Sequence, residues 1–111
     1  MEIKIEQRCA VTLVRPEGPL TSAEAETLKS TMLELIEENL GRVVLDASEI
    51  AYVDSRGLET LVEVTQELAP GGKALKLCAV NETLQQVLDL TDLASQFEQF
   101  EDANSAIRSF L

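Results

Sequence analysis

Residues 43–61 read VVLDASEIAYVDSRGLETL. Val43 to Ala47 is a short apolar run closing on an acid, the pattern of a strand buried on both faces. SEIAYV is too irregular for either period and reads as a loop. Asp54, Ser55 and Gly57 then stand before Leu58, Leu61, Val62, Thr65 and Leu68, whose spacing predicts a helix from about Arg56 to Leu68. A strand that feeds a helix is one unit of an α/β fold, provided that strands and helices go on alternating along the chain.

The flanks extend that reading. Pro70-Gly71-Gly72 stops the helix, and Lys73 to Val80 reads as the next strand, with Leu75, Leu77 and Ala79 on one side. Asn81 caps a short helix carrying Leu84, Val87 and Leu88. Phe97 to Phe100 is a small strand, and Asp102 caps a last helix with Ala103, Ala106, Ile107 and Phe110. Upstream, Ile3 and Ile5 alternate with charged residues, and Cys9 to Val14 reads as a second strand joined by a hairpin at Gln7-Arg8. Arg15-Pro16-Glu17-Gly18-Pro19 reads as a loop. Thr21 and Glu24 form a T-x-x-E capping box for a helix with Ala25, Leu28, Met32, Leu35 and Ile36 on one face, closed by Gly41. The order β-β-α-β-α-β-α-β-α implies one domain over residues 1–111, a mixed, mostly parallel sheet packed with four helices.

Twenty acidic residues against nine basic give a net charge of −11. Nucleic acid and anionic membranes both need clustered cations, so neither is an expected partner. The chain has no histidine, which removes Ser-His-Asp and Cys-His catalysis and His-containing zinc sites. Two cysteines, Cys9 and Cys78, sit in apolar segments and read as buried free thiols. No glycine-rich phosphate cradle occurs, and no metal or cofactor is expected. No apolar run approaches a membrane span, and MEIKIEQR carries no signal-peptide core, so a cytoplasmic protein is expected.

Ser55 has two readings on chemistry alone. As an N-cap it satisfies an orphan amide of the helix. As a phosphosite it brings about −1.5 to −2 charges to the positive helix end and its free amides. Gly57 costs helix stability and so marks a close approach to the backbone, by a partner, a phosphate or a neighbouring loop. Asp46, at a strand end, is expected to organise the following loop by bonding amides around residues 48 to 55.

The stretch VVLDASEIAYVDSRGLETL resembles the signature of STAS-domain proteins, most of all the anti-sigma factor antagonists. LTDLASQFEQFEDANSAI resembles the closing part of the same family, so the similarity spans nearly the whole chain. The resemblance implies a partner-switching regulator of transcription that performs no catalysis. It implies that Ser55 is phosphorylated by an anti-sigma serine kinase and that a protein phosphatase reverses this. It implies a contact surface made of Thr21, Ser22, Asp54, Ser55, Arg56, Gly57 and Leu58 on a monomer or weak dimer. Thr21 stands where many members carry an acid, and Arg56 where many carry a small residue. Arg56 is then free to meet a phosphate or an acidic partner, or is simply solvated. The alternative function is a STAS scaffold in a membrane lipid-transport assembly. A phosphoacceptor receiver acting through Asp46 or Asp54 lacks the acidic pair that magnesium needs after its first strand.

Overall fold

Alternation sets the two faces of the sheet. In the computed structural model, which describes all residues from Met1 to Leu111, β1 (Glu2–Arg8), β2 (Val11–Glu17), β3 (Val43–Asp46), β4 (Leu75–Cys78) and β5 (Phe97–Phe100) form one sheet in sequence order. β1 runs antiparallel to β2, and every later pair is parallel. Val43 and Leu45 point to a core shared with α1 (Ser22–Glu38), α2 (Ser55–Leu68) and α3 (Glu82–Leu90), while Val44 points the other way, toward α4 (Ala103–Arg108). Three helices therefore cover one face and one short helix covers the other. The larger core holds Leu28, Leu45, Leu61, Leu77, Leu84 and Leu88, all 1% exposed or less. Each buried leucine contributes about 1.5–3 kcal/mol of transfer free energy.

The element order, the sheet type and the four helices agree with expectation, and the local boundaries differ in several places. The hairpin turn is Cys9-Ala10, not Gln7-Arg8, because Arg8 pairs with Val11 and Cys9 takes a φ of 57°. Cys9 is therefore exposed, and only Cys78 is buried. Burial pushes the Cys78 thiol up to about 12, with the Asp46 carboxylate acting in the same sense. β2 continues through Arg15-Pro16-Glu17, which the sequence assigned to a loop. β3 pairs only with Thr12 to Val14 of β2, so Pro16 needs no amide on that side. β4 stops at Cys78 because Ala79 turns to a φ of 54°. On α2 the buried face includes Thr60 and Val64, and Val62 is only half-buried.

Candidate functional site

Two loops meet at the carboxyl end of the sheet and are zipped together by their backbones. Gly18 donates to the Glu49 carbonyl at 2.9 Å, Leu20 to Tyr52 at 2.9 Å, and Asp54 to Leu20 at 3.1 Å. Leu20 and Val53 form a parallel bridge, so the segment before α1 lies alongside the segment before α2. The second loop is held from below as well. The Asp46 carboxylate accepts from the Ser48 amide at 2.9 Å, and the Asn81 amide group donates to the Ile50 carbonyl at 2.6 Å. Of the loop amides, Asp46 bonds that of Ser48 alone.

Asp54 joins the two helix starts. One carboxylate oxygen accepts from the Gly57 amide at 2.7 Å, and the other accepts from the Ser22 amide at 2.9 Å. Asp54 is therefore the N-cap of α2 and also serves the first residue of α1. These bonds, Gly57 first and Ser22 second, hold its carboxyl below the ordinary carboxylate value.

This corrects the capping reading of Ser55. Ser55 is the first residue inside α2 rather than its cap, it is exposed, and the amide a cap would serve already belongs to Asp54. The Gly57 amide is thus not free for a phosphoryl group. The capping box at Thr21 is also not formed. Thr21 occupies the N-cap position of α1, but its hydroxyl donates to the Glu24 carboxylate at 2.7 Å and accepts no amide.

Gly57 resolves to the third of its readings, the neighbouring loop. It is buried, and a Cβ added to it would lie 2.2 Å from the Leu20 carbonyl oxygen. Glycine is what lets α2 seat against the loop before α1. Leu58 is 9% exposed and belongs to the core. Ser22 and Ser55 are exposed, and Thr21 and Asp54 are half-buried.

Arg56 is partly exposed but not free. Its guanidinium bonds Glu26 of α1, and meets Glu59 and Glu63 of α2 at 3.1 Å each. Glu26 and then Glu63 raise its pKa. Burial alone would raise the Glu63 carboxyl, but Arg56 and Lys29 outweigh it and leave it lowered. The cation that sequence offered to a phosphate instead ties α1 to α2. The sequence reading also passed over Glu59 and Leu93, and it turned Val62 inward; the three line an open groove with Ser55 and Leu58. The spacing of Ser55, Leu58, Glu59 and Val62, i, i+3, i+4 and i+7, was the available signal.

A mixed five-stranded sheet with three helices on one face and one on the other places the chain among small α/β domains. The STAS domain model matches residues 2–106, and the chain belongs to that family. BtrV of Bordetella bronchiseptica, described as an anti-sigma factor antagonist, is 27% identical over 94 residues, 85% of this chain and 81% of its own. A Thermotoga maritima protein, also described as an anti-sigma factor antagonist, superposes with a TM-score of 0.86 at 19% identity, over 96% of this chain and 92% of its own. SpoIIAA of Bacillus, solved in its phosphorylated form, superposes with a TM-score of 0.71 at 15% identity, over 97% of this chain and 99% of its own. The fold is that of the anti-sigma factor antagonists. No helix is long and apolar enough to cross a membrane.

Proposed function

We propose that this chain is a partner-switching regulator whose binding to an anti-sigma serine kinase ends when Ser55 is phosphorylated. The observation that carries the reading is the division of labour at the start of α2. Asp54 does the capping, for two helices at once, and leaves the adjacent Ser55 hydroxyl exposed with no structural duty. A modification there changes the surface without disturbing the cap. The names of BtrV and phosphorylated SpoIIAA point to the same role.

In the transfer, the Ser55 oxygen forms a bond to the γ-phosphorus of ATP. The bond to the departing ADP breaks, and the hydroxyl proton leaves to a base on the kinase. Because Asp54 holds the Gly57 amide and Arg56 is held by glutamates, the added charge stays on the outer surface. It therefore acts on a docked partner rather than on the fold. The docking surface is the zipped pair of loops, with Thr21 and Ser22 on one and Asp54 and Ser55 on the other, while Arg56, Gly57 and Leu58 shape it from behind. A protein phosphatase removes the phosphate by hydrolysis and restores binding. The protein acts in the cytoplasm beside its kinase, as one unit over residues 1–111, and without catalysis of its own.

Incubation with ATP and the serine kinase encoded nearest to its gene, followed by intact-mass and phosphosite mapping, tests this. One phosphate on Ser55, absent from Ser55→Ala, is the expected result. An active kinase that leaves Ser55 unmodified overturns the proposal.

A further inference from the structure

The two edges of the sheet are not alike. β5 ends it with four residues, whereas β1 ends it with seven, and no strand pairs with the outer side of β1. An unpaired edge of that length is a template for another strand. β1 reads Glu2, Ile3, Lys4, Ile5, Glu6, Gln7, Arg8. Glu2, Lys4, Glu6 and Arg8 share one face, so charge alternates in sign along it. Ile3 and Ile5 share the other face. Ile3 packs against the larger core, but Ile5 is 51% exposed. The charged row fits β2 poorly, since Glu2 stands opposite Glu17 and Lys4 opposite Arg15, like against like.

A second β1 laid antiparallel, with Ile5 against Ile5, reverses this. Glu2 then stands opposite Arg8 and Lys4 opposite Glu6, and a two-fold axis repeats both pairs. A slip of two residues one way sets Lys4 against Lys4 and Glu2 against Glu6. A slip the other way sets Glu6 against Glu6 and Lys4 against Arg8. The charges therefore select one register rather than block the edge. That register also sets Ile3 against Gln7, so backbone groups that point outward meet groups that point outward. The ion pairs β1 already makes run along the strand, Lys4 to Glu2 at 2.9 Å and Arg8 to Glu6 at 3.1 Å. They persist in the paired ribbon, where each charge has opposite neighbours both along its own strand and across. We infer that β1 is an interface for a second copy of this chain, joining the two sheets edge to edge about a two-fold axis at Ile5. The interface uses no residue of the α2 start, so the inference is independent of the phosphoswitch. Exposed ion pairs contribute little and one strand pair buries a small area, so the dimer is weak, with a Kd on the order of 100 µM.

Sedimentation equilibrium of the full chain over a concentration series tests this, with melting curves to establish that each variant folds. Wild type is expected to be a monomer in exchange with a dimer. Lys4→Glu and Glu6→Lys each set like charges opposite one another twice across the axis, and each is expected to raise Kd about tenfold or more. The double variant Lys4→Glu/Glu6→Lys has the net charge of wild type and sets opposite charges against one another again. It is expected to bring Kd back to within about threefold of wild type. A wild type that stays monomeric at about 1 mM overturns the inference. So does a dimer whose Kd either single variant leaves unchanged, or one that the double variant fails to restore. If a charge variant does not fold, Ile5→Glu decides, because it sets two carboxylates on the axis, and an unchanged Kd then overturns the inference.

Discussion

Two helices of this molecule begin with the same residue and differ in everything that residue touches. α4 is capped by Asp102, which accepts from the Ser105 amide at 2.8 Å and serves that helix alone. α2 is capped by Asp54, which accepts from the Gly57 amide and spends its second oxygen on Ser22 of α1. The residue after the cap is Ala103 in one case and Ser55 in the other, and the third helical residue is Ser105 in one and glycine in the other. Capping therefore explains Asp at both places, and explains neither Ser55 nor Gly57. What is left over at α2 is what the zipped loops and the surface require.

Gly57 is the sharpest difference, and changing it has the largest expected effect. Gly57→Ala forces its Cβ into the Leu20 carbonyl, so either α2 or the loop must shift. A cost of about 1–3 kcal/mol, typical of overpacking, is expected in urea unfolding. Ser105→Ala in α4 should cost far less. Equal losses at the two positions would remove the special status of the α2 start.

Second in size is the cap itself. Asp54→Ala orphans amides on two helices, whereas Asp102→Ala orphans an amide on one. The drop in melting temperature should be about twice as large for Asp54→Ala, since each cap contributes separately. Similar drops would mean that the Ser22 bond carries little.

The same comparison shows what could be read from sequence. Asn81 and Asp102 were legible as caps because each stands alone before an apolar-periodic run, and their bonds to Leu84 and Ser105 are local. The strand-helix order was legible for the same reason, since periodicity is local. Where sequence failed, a distant partner had won. The α1 amide went to Asp54, 32 residues away, rather than to a local capping box. Arg56 was drawn by Glu26, 30 residues away. Pro16 entered a strand because β3 was too short to contest that stretch. Within the candidate site, Ser55 was found by its neighbours in sequence, but the reason for Gly57 lay in Leu20 and could only be seen in three dimensions.

A smaller effect concerns acid. Hydrogen bonds lower the folded-state pKa of Asp54, through Gly57 and then Ser22, and of Asp102, through Ser105. A lowered folded value means that the unfolded chain binds the proton more readily. The stability each carboxylate contributes is full above its unfolded value of about 4 and is lost as pH falls through the folded value. Melting temperature should therefore decline on acidification, less steeply in Asp54→Asn, and with a weaker flattening in Asp102→Asn. A decline as steep in Asp54→Asn as in wild type would show that its carboxylate is not the titrating group.

The smallest effect expected on the fold is the most informative about its use. If Asp54 alone caps α2, then Ser55→Ala removes an exposed hydroxyl and nothing else. Its unfolding free energy should stay within about 0.5 kcal/mol of wild type, as for a surface substitution. Ser55→Asp should also fold, because the added charge stays outside the cap, and should bind the kinase weakly where Ser55→Ala binds it continuously. A loss from Ser55→Ala as large as that from Asp102→Ala would return Ser55 to the role of a cap. The asymmetry between the two helix starts would then be one of packing only. A silent Ser55→Ala paired with a non-binding Ser55→Asp leaves the hydroxyl one remaining purpose, which is to be modified.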